Sequence, residues 1–233
     1  MANLGFPQRT QSAPRKLHAV VRAVTADGVD GNTTRFDRLA VLELACGPGR
    51  HLVHFAPASL GLDRDPRAVE AVRALGRDAK VEDLCVPGWG QRIAAKRPGG
   101  FEAAYLADCL VHLQRPEVAL SELVHTLRPG APVVVVEWVL PESDGPMRGG
   151  LARALQALVP GTRAHWRHPE HLRAWPESRW WALLESAGFE RQASLLHSFP
   201  PGLTARAPFG TLLRSFWPPR TLIARTPGVP SPR

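Results

Sequence analysis

Residues 39–49 constrain this chain more than any other stretch. Leu-Ala-Val-Leu-Glu-Leu-Ala runs without a break into Cys-Gly-Pro-Gly. A near-continuous apolar run of this length is what a parallel strand buried on both faces requires. Gly47 and Gly49 then allow a turn whose backbone can approach a ligand closely. A helix expected behind the turn, through Phe55, would add N–H donors and the positive end of a helix dipole. Glu43 lies inside the apolar run. A carboxylate buried there needs a partner: it orders the turn or the N-terminal segment, or it contacts a ligand directly or through water.

The next elements repeat the theme. Strands are expected over residues 59–63, 79–83, 101–106 and 131–140, with helices over 66–75 and 116–127 between them. Pro66 suits a first helical position, with Asp65 as its cap. Strands alternating with helices imply βαβ units and a parallel sheet. The first strand's turn and the acid ending the second, Asp63, are the pair that matters for chemistry, because a carboxylate there can accept from two vicinal ribose hydroxyls. The dinucleotide fingerprint is not met, since Leu52 stands where its third glycine belongs, and the phosphate-loop pattern GxxxxGK[ST] is absent. Beyond residue 141 the regularity weakens. Helices are expected at 151–159 and 177–187, the latter stopped by Gly188, and strands at 189–197 and 220–225. A further helix is expected at 16–24, behind a loose arm. This divides the chain into segments 1–30, 31–140, 141–187, 188–226 and a tail at 227–233.

Composition narrows the class. The 233 residues are 44% hydrophobic and 21% charged, which suits one globular domain and not a fibrous or disordered chain. No apolar run approaches the length of a membrane span, and residues 1–9 lack the apolar centre of a secretory signal. Cys46, Cys85 and Cys109 have no CxxC spacing and read as buried, reduced thiols of a cytoplasmic protein. The net charge is +8, almost all of it from arginine. That balance suits an RNA partner, but the arginines are scattered, and with abundant Gly and Pro they read as GC-rich coding.

The motifs as a set resemble the class I S-adenosylmethionine-dependent methyltransferases, in particular the small-molecule, type 11 kind related to ubiquinone and menaquinone C-methyltransferases. Glu43, Gly47 and Gly49 match the family's first-strand pattern, with Ala45 in place of its first glycine. Glu82-Asp83-Leu84 resembles its third-strand end. Residues 101–113, FEAAYLADCLVHL, resemble its FDxVxxxxxLHHL, residues 127–130 its LkPG turn, and residues 185–189 its eeAGF turn. The resemblance implies a Rossmann-like α/β fold, with a seven-stranded, mostly parallel sheet, helices on both faces and an antiparallel last strand. It implies S-adenosylmethionine as cofactor. Ala45, Gly47 and Gly49 would pack against it, Asp63 with Arg64 would hold the ribose, Asp83 the adenine amino group, Leu84 the ring, and Leu106 the methionine end. Segment 141–187 would shape the acceptor pocket and segment 188–226 would complete the sheet.

On the acceptor side the same resemblance places Asp108, Glu137, Trp138, His165 and Trp166, with His112 as a candidate for proton transfer. His165, His168 and His171 do not make a convincing metal set, with Pro169 between them and no Cys or Glu to complete it, so no metal is expected. The tryptophans of 175–181 read as packing. The absence of an [ND]PP[YF] tetrapeptide near Ala107-Asp108-Cys109-Leu110 and of any Pro-Cys pair argues against methylation of exocyclic base amines or cytosine C5. A small-molecule acceptor is therefore expected. An RNA methyltransferase and a non-catalytic scaffold are the alternatives.

Overall fold

The computed structural model describes residues 38–140, 175–196 and 219–228. The expected helices at 16–24 and 151–159, and His165, Trp166, His168 and His171, lie outside these residues. Eight strands and four helices are described: β1 Val41–Leu44, β2 Leu60–Asp63, α1 Pro66–Ala74, β3 Asp78–Val81, α2 Trp89–Lys96, β4 Ala103–Ala107, α3 Pro116–Val124, β5 Pro132–Leu140, β6 Trp175–Pro176, α4 Glu177–Ser186, β7 Glu190–Leu196 and β8 Pro219–Arg225.

The sheet runs β3-β2-β1-β4-β5-β8-β7, and the two-residue β6 pairs with the far end of β5. β1 is parallel to both β2 and β4, with Glu43 opposite Gly61 on one side and Tyr105 on the other. β8 runs antiparallel to both β5 and β7. The fold is therefore the Rossmann-like sheet with an antiparallel last strand. Its order reverses between β1 and β4, and ligands of such sheets bind outside the carboxyl ends of the strands at that switch.

Alternation along the strands feeds two apolar layers. Leu42, Leu44, Leu106, Val133 and Val135 face α2, α3 and α4, where Trp89, Leu120, Leu123, Trp180 and Leu184 are buried. Val41, Tyr105, Val134 and Val136 face α1 and the segment after β1, through Val69, Val72, Leu52 and Phe55. The tryptophans of α4 are thus core packing, as the sequence suggested. Removing a fully buried leucine such as Leu44 would cost roughly 2–5 kcal/mol, transfer and cavity together.

Two local results differ from expectation. The helix expected through Phe55 is only a 3-10 turn, Leu52–His54. Ala45, Gly47 and Gly49 all have positive φ, and the Ala56 N–H turns back to the carbonyl of Leu39. Too few residues remain before Pro57 to offset helix nucleation. Conversely, α2 was not expected at all. No side chain of its own caps it. Glu122 of α3 does so across space, accepting from the Gly88 and Gly90 N–H groups at 2.7 and 2.8 Å. A Cβ on Gly90 would lie 2.1 Å from the Glu122 carbonyl oxygen, so only glycine allows this approach. Elsewhere the caps are as read: Asp65 accepts from the Arg67 N–H at 2.9 Å, and the Gly188 and Phe189 N–H groups close α4 on the carbonyls of Glu185 and Leu184.

Candidate functional site

The turn after β1 and the end of β2 are tied together by one carboxylate. Asp63 accepts from the Gly47 N–H through Oδ2 at 2.8 Å and from the Asp65 N–H through Oδ1 at 2.9 Å. Gly47 sits at φ +52, and a side chain added there would meet nothing within 4 Å. Ala45, at φ +51, is exposed. The turn thus presents bare backbone to open space beside a half-buried carboxylate. Arg64 is exposed next to it. Asp83, also exposed, accepts from the Cys85 N–H at 2.9 Å. Leu84 is 4% exposed and packs into the core, and Leu106 is buried in β4 between Leu44 and Val135. Cys85 is half-buried, not buried as expected; Cys46 and Cys109 are buried, and all three are free.

Across the switch, Asp108 follows β4 at φ +50 and donates its N–H to the Val136 carbonyl at 2.8 Å. Ala45 and Asp108 are the two non-glycine residues with positive φ among those described, and they end the two strands that flank the switch. Such strain collects where surrounding structure and function hold it. Glu137 of β5 is fully buried. Its Oε1 accepts from the Cys109 and Leu110 N–H groups at 2.8 and 2.6 Å, opening the 3-10 turn Leu110–His112. Its Oε2 has no protein partner among the described residues. Burial, then the charge of Asp108, push its carboxyl up to about 8 against the pull of the Leu110, Cys109 and Val111 amides. His112 is exposed on that turn. The backbone of Trp138 continues β5 opposite Pro219 of β8.

Beneath the β1 turn lies a feature the sequence reading missed. Glu43 is 2% exposed and meets Nδ1 of His51 at 3.1 Å. His51 stands edge-on to Tyr105, 5.0 Å between centroids, and Phe55 flanks the same ring at 5.7 Å. Burial pushes the Glu43 carboxyl up, and the His51 contact pulls it partly back. Burial, then Glu43 and Asp63, push the Cys46 thiol up to about 12, which keeps it protonated and structural. The eight-residue gap between Glu43 and His51 has no period of its own. Only the backward fold of the turn joins them.

Residues 42–135 match the family model described as methyltransferase domain. That span runs from β1 into β5. Sterol 24-C-methyltransferase of Clavispora lusitaniae is 28% identical over 45% of this chain and 29% of its own length, so the chain matches under a third of that relative. Among solved structures, the [4+2]-cyclase SpnF is similar at a TM-score of 0.59 and 21% identity, over 94% of this chain and 84% of that one. A SAM-dependent methyltransferase from Archaeoglobus fulgidus is similar at a TM-score of 0.57 and 14% identity, over 90% and 93%.

The residues that end β1 and β2 fit S-adenosylmethionine. Each oxygen of Asp63 accepts one amide, and a carboxylate has about four lone-pair sites, so capacity remains for ribose hydroxyls. The open space over Gly47 is where a side chain would intrude.

Proposed function

We propose that this chain transfers a methyl group from S-adenosylmethionine to an oxygen, nitrogen or carbon atom of a small-molecule acceptor. The observation that carries the reading is the Asp63–Gly47 bond, which fixes a bare turn and a carboxylate together at the carboxyl edge of β1 and β2. The sterol substrate in a relative's name supports the acceptor class. So do the missing base-methylation motifs. When bound, the cofactor supplies an electrophilic methyl carbon on a sulfonium.

The chain's own residues orient the reactants and exclude water. Asp63 takes the ribose hydroxyls, with Arg64 beside it. Gly47 and Gly49 let the backbone come close, and Ala45 keeps the contact small. Asp83 takes the adenine amino group and Leu84 backs the ring from the core. Leu106 flanks the methionine end. Asp108, Glu137 and His112 frame the acceptor side; His165 and Trp166 lie outside the described residues. We place the protein in the cytoplasm on its free cysteines. No described helix is long and apolar enough to cross a membrane.

The test is incubation of the full chain with methyl-labelled cofactor and two acceptor pools, a deproteinised small-molecule extract and total RNA. Label is expected in the small-molecule arm. Label in RNA, weakening steeply with salt, would overturn the acceptor class. Tight cofactor binding without transfer to either pool would overturn the activity and move the account to a non-methylating use of the fold.

A further inference from the structure

We infer that His51, oriented by Glu43, is the group of this site that accepts the acceptor's proton. The inference rests on the methyltransferase reading above.

Three observations converge on it. First, Glu43 meets Nδ1 of His51 at 3.1 Å from a fully buried position on β1. A carboxylate on Nδ1–H selects the tautomer whose lone pair is on Nε2. The His51 side chain is 12% exposed, so the ring is packed but not sealed. Second, the pair sits at the switch. Glu43 and Tyr105 are register partners on β1 and β4, and His51 lies over both, four residues beyond Gly47. Third, the two residues that touch His51 each carry a buried polar atom with no protein partner among the described residues, Glu43 Oε2 and Tyr105 Oη. Orphaned atoms are rare in pockets built for packing alone.

Glu43, in contact with Nδ1, faces the positive charge that would form on the ring. Glu43 from β1 and Tyr105 from β4 touch the ring directly, Arg50 and His54 flank it along the chain, and Arg77 bonds the carbonyls of Val53 and Phe55 on the same turn. As the acceptor's O or N forms its bond to the methyl carbon, Nε2 of His51 takes the proton from that atom. The pair of the broken S–CH₃ bond stays on sulfur, leaving S-adenosylhomocysteine, and the new positive charge lies against Glu43.

The test needs no known acceptor. The full chain is treated with diethyl pyrocarbonate, which acylates accessible neutral imidazole nitrogen, and the modified histidines are located by peptide mapping. Calorimetry with S-adenosylhomocysteine runs in parallel. His51 is expected to react in the free protein and about tenfold more slowly with the product at about ten times its Kd. Equal rates with the product demonstrably bound would overturn the assignment. Absence of any binding heat would instead remove the methyltransferase reading. Long-range nitrogen–proton NMR of the imidazoles then decides the dyad by itself. His51 is expected as the Nδ1–H tautomer, its preference lost in Glu43→Leu, which has no acceptor, and an Nε2–H tautomer in the unmodified protein would refute it. A merely structural histidine bonded to Glu43 would show the same tautomer but no product protection.

Discussion

Among the described residues, Glu43, Glu122, Glu137 and Glu177 are wholly or largely buried carboxylates, and they divide into two pairs. Glu122 and Glu177 use both oxygens. Glu122 caps α2 through two glycine amides. Glu177 accepts from Arg220 Nη1 at 2.7 Å and Trp181 Nε1 at 3.1 Å. Partial burial works to raise its carboxyl, but Ser194, Trp181, Arg220 and Arg191 hold it below the usual value. Glu43 and Glu137 each use one oxygen and leave the other without a protein partner among the described residues. The first pair lies between helices and strand edges. The second lies at the carboxyl edge of β1 and β5, beside the strained Ala45 and Asp108. A carboxylate whose bonds are all made holds structure together. We propose that one kept half-satisfied at the switch point serves a ligand or a proton.

The largest effect that would break this division concerns the structural pair. Glu122→Ala strands the Gly88 and Gly90 amides and should cost roughly 2–4 kcal/mol of stability, read by denaturant unfolding, with cofactor affinity unchanged in the folded fraction. A loss of affinity with stability intact would reverse the assignment. Next, Asp63→Ala should weaken cofactor binding roughly 10–100-fold, the worth of hydrogen bonds to a charged group, with a smaller stability loss than Glu122→Ala because the Gly47 and Asp65 amides it frees lie in a partly exposed turn.

Glu137→Gln sharpens the comparison through pH. The folded chain holds Glu137 at about 8 against 4.5 for the free group, so it keeps a proton that the unfolded chain has lost. Stability therefore falls as pH climbs between those values and levels above them. The glutamine variant should lack that slope in unfolding measured at pH 5 and pH 8. A wild-type slope of the opposite sign would show that Glu137 is ionised in the fold. The smallest effect is Ala45→Gly. Relief of the left-handed strain should exceed the entropy glycine adds to the unfolded chain, raising stability by up to about 1 kcal/mol.

Much of the fold was legible in the sequence because its strands are apolar runs with local stops. β1, β2, β4 and β5 and helices α1, α3 and α4 lie within a few residues of expectation. α2 was not legible, because it begins at Gly88, contains Gly90, and depends on Glu122 far along the chain. The helix expected after Gly49 failed because sequence shows composition, not the three positive-φ residues that use up its length. In the site, Asp63 and Gly47 were legible as a strand end and a turn. His51 was not, since its partner is set by how the turn folds back over β1.

The central claim is that the carboxyl edge of β1 and β2 holds the cofactor. Calorimetric titration of the wild-type chain with S-adenosylhomocysteine tests it most directly. The account predicts one site of micromolar affinity, about −8 kcal/mol. A folded protein that gives no binding heat would contradict it.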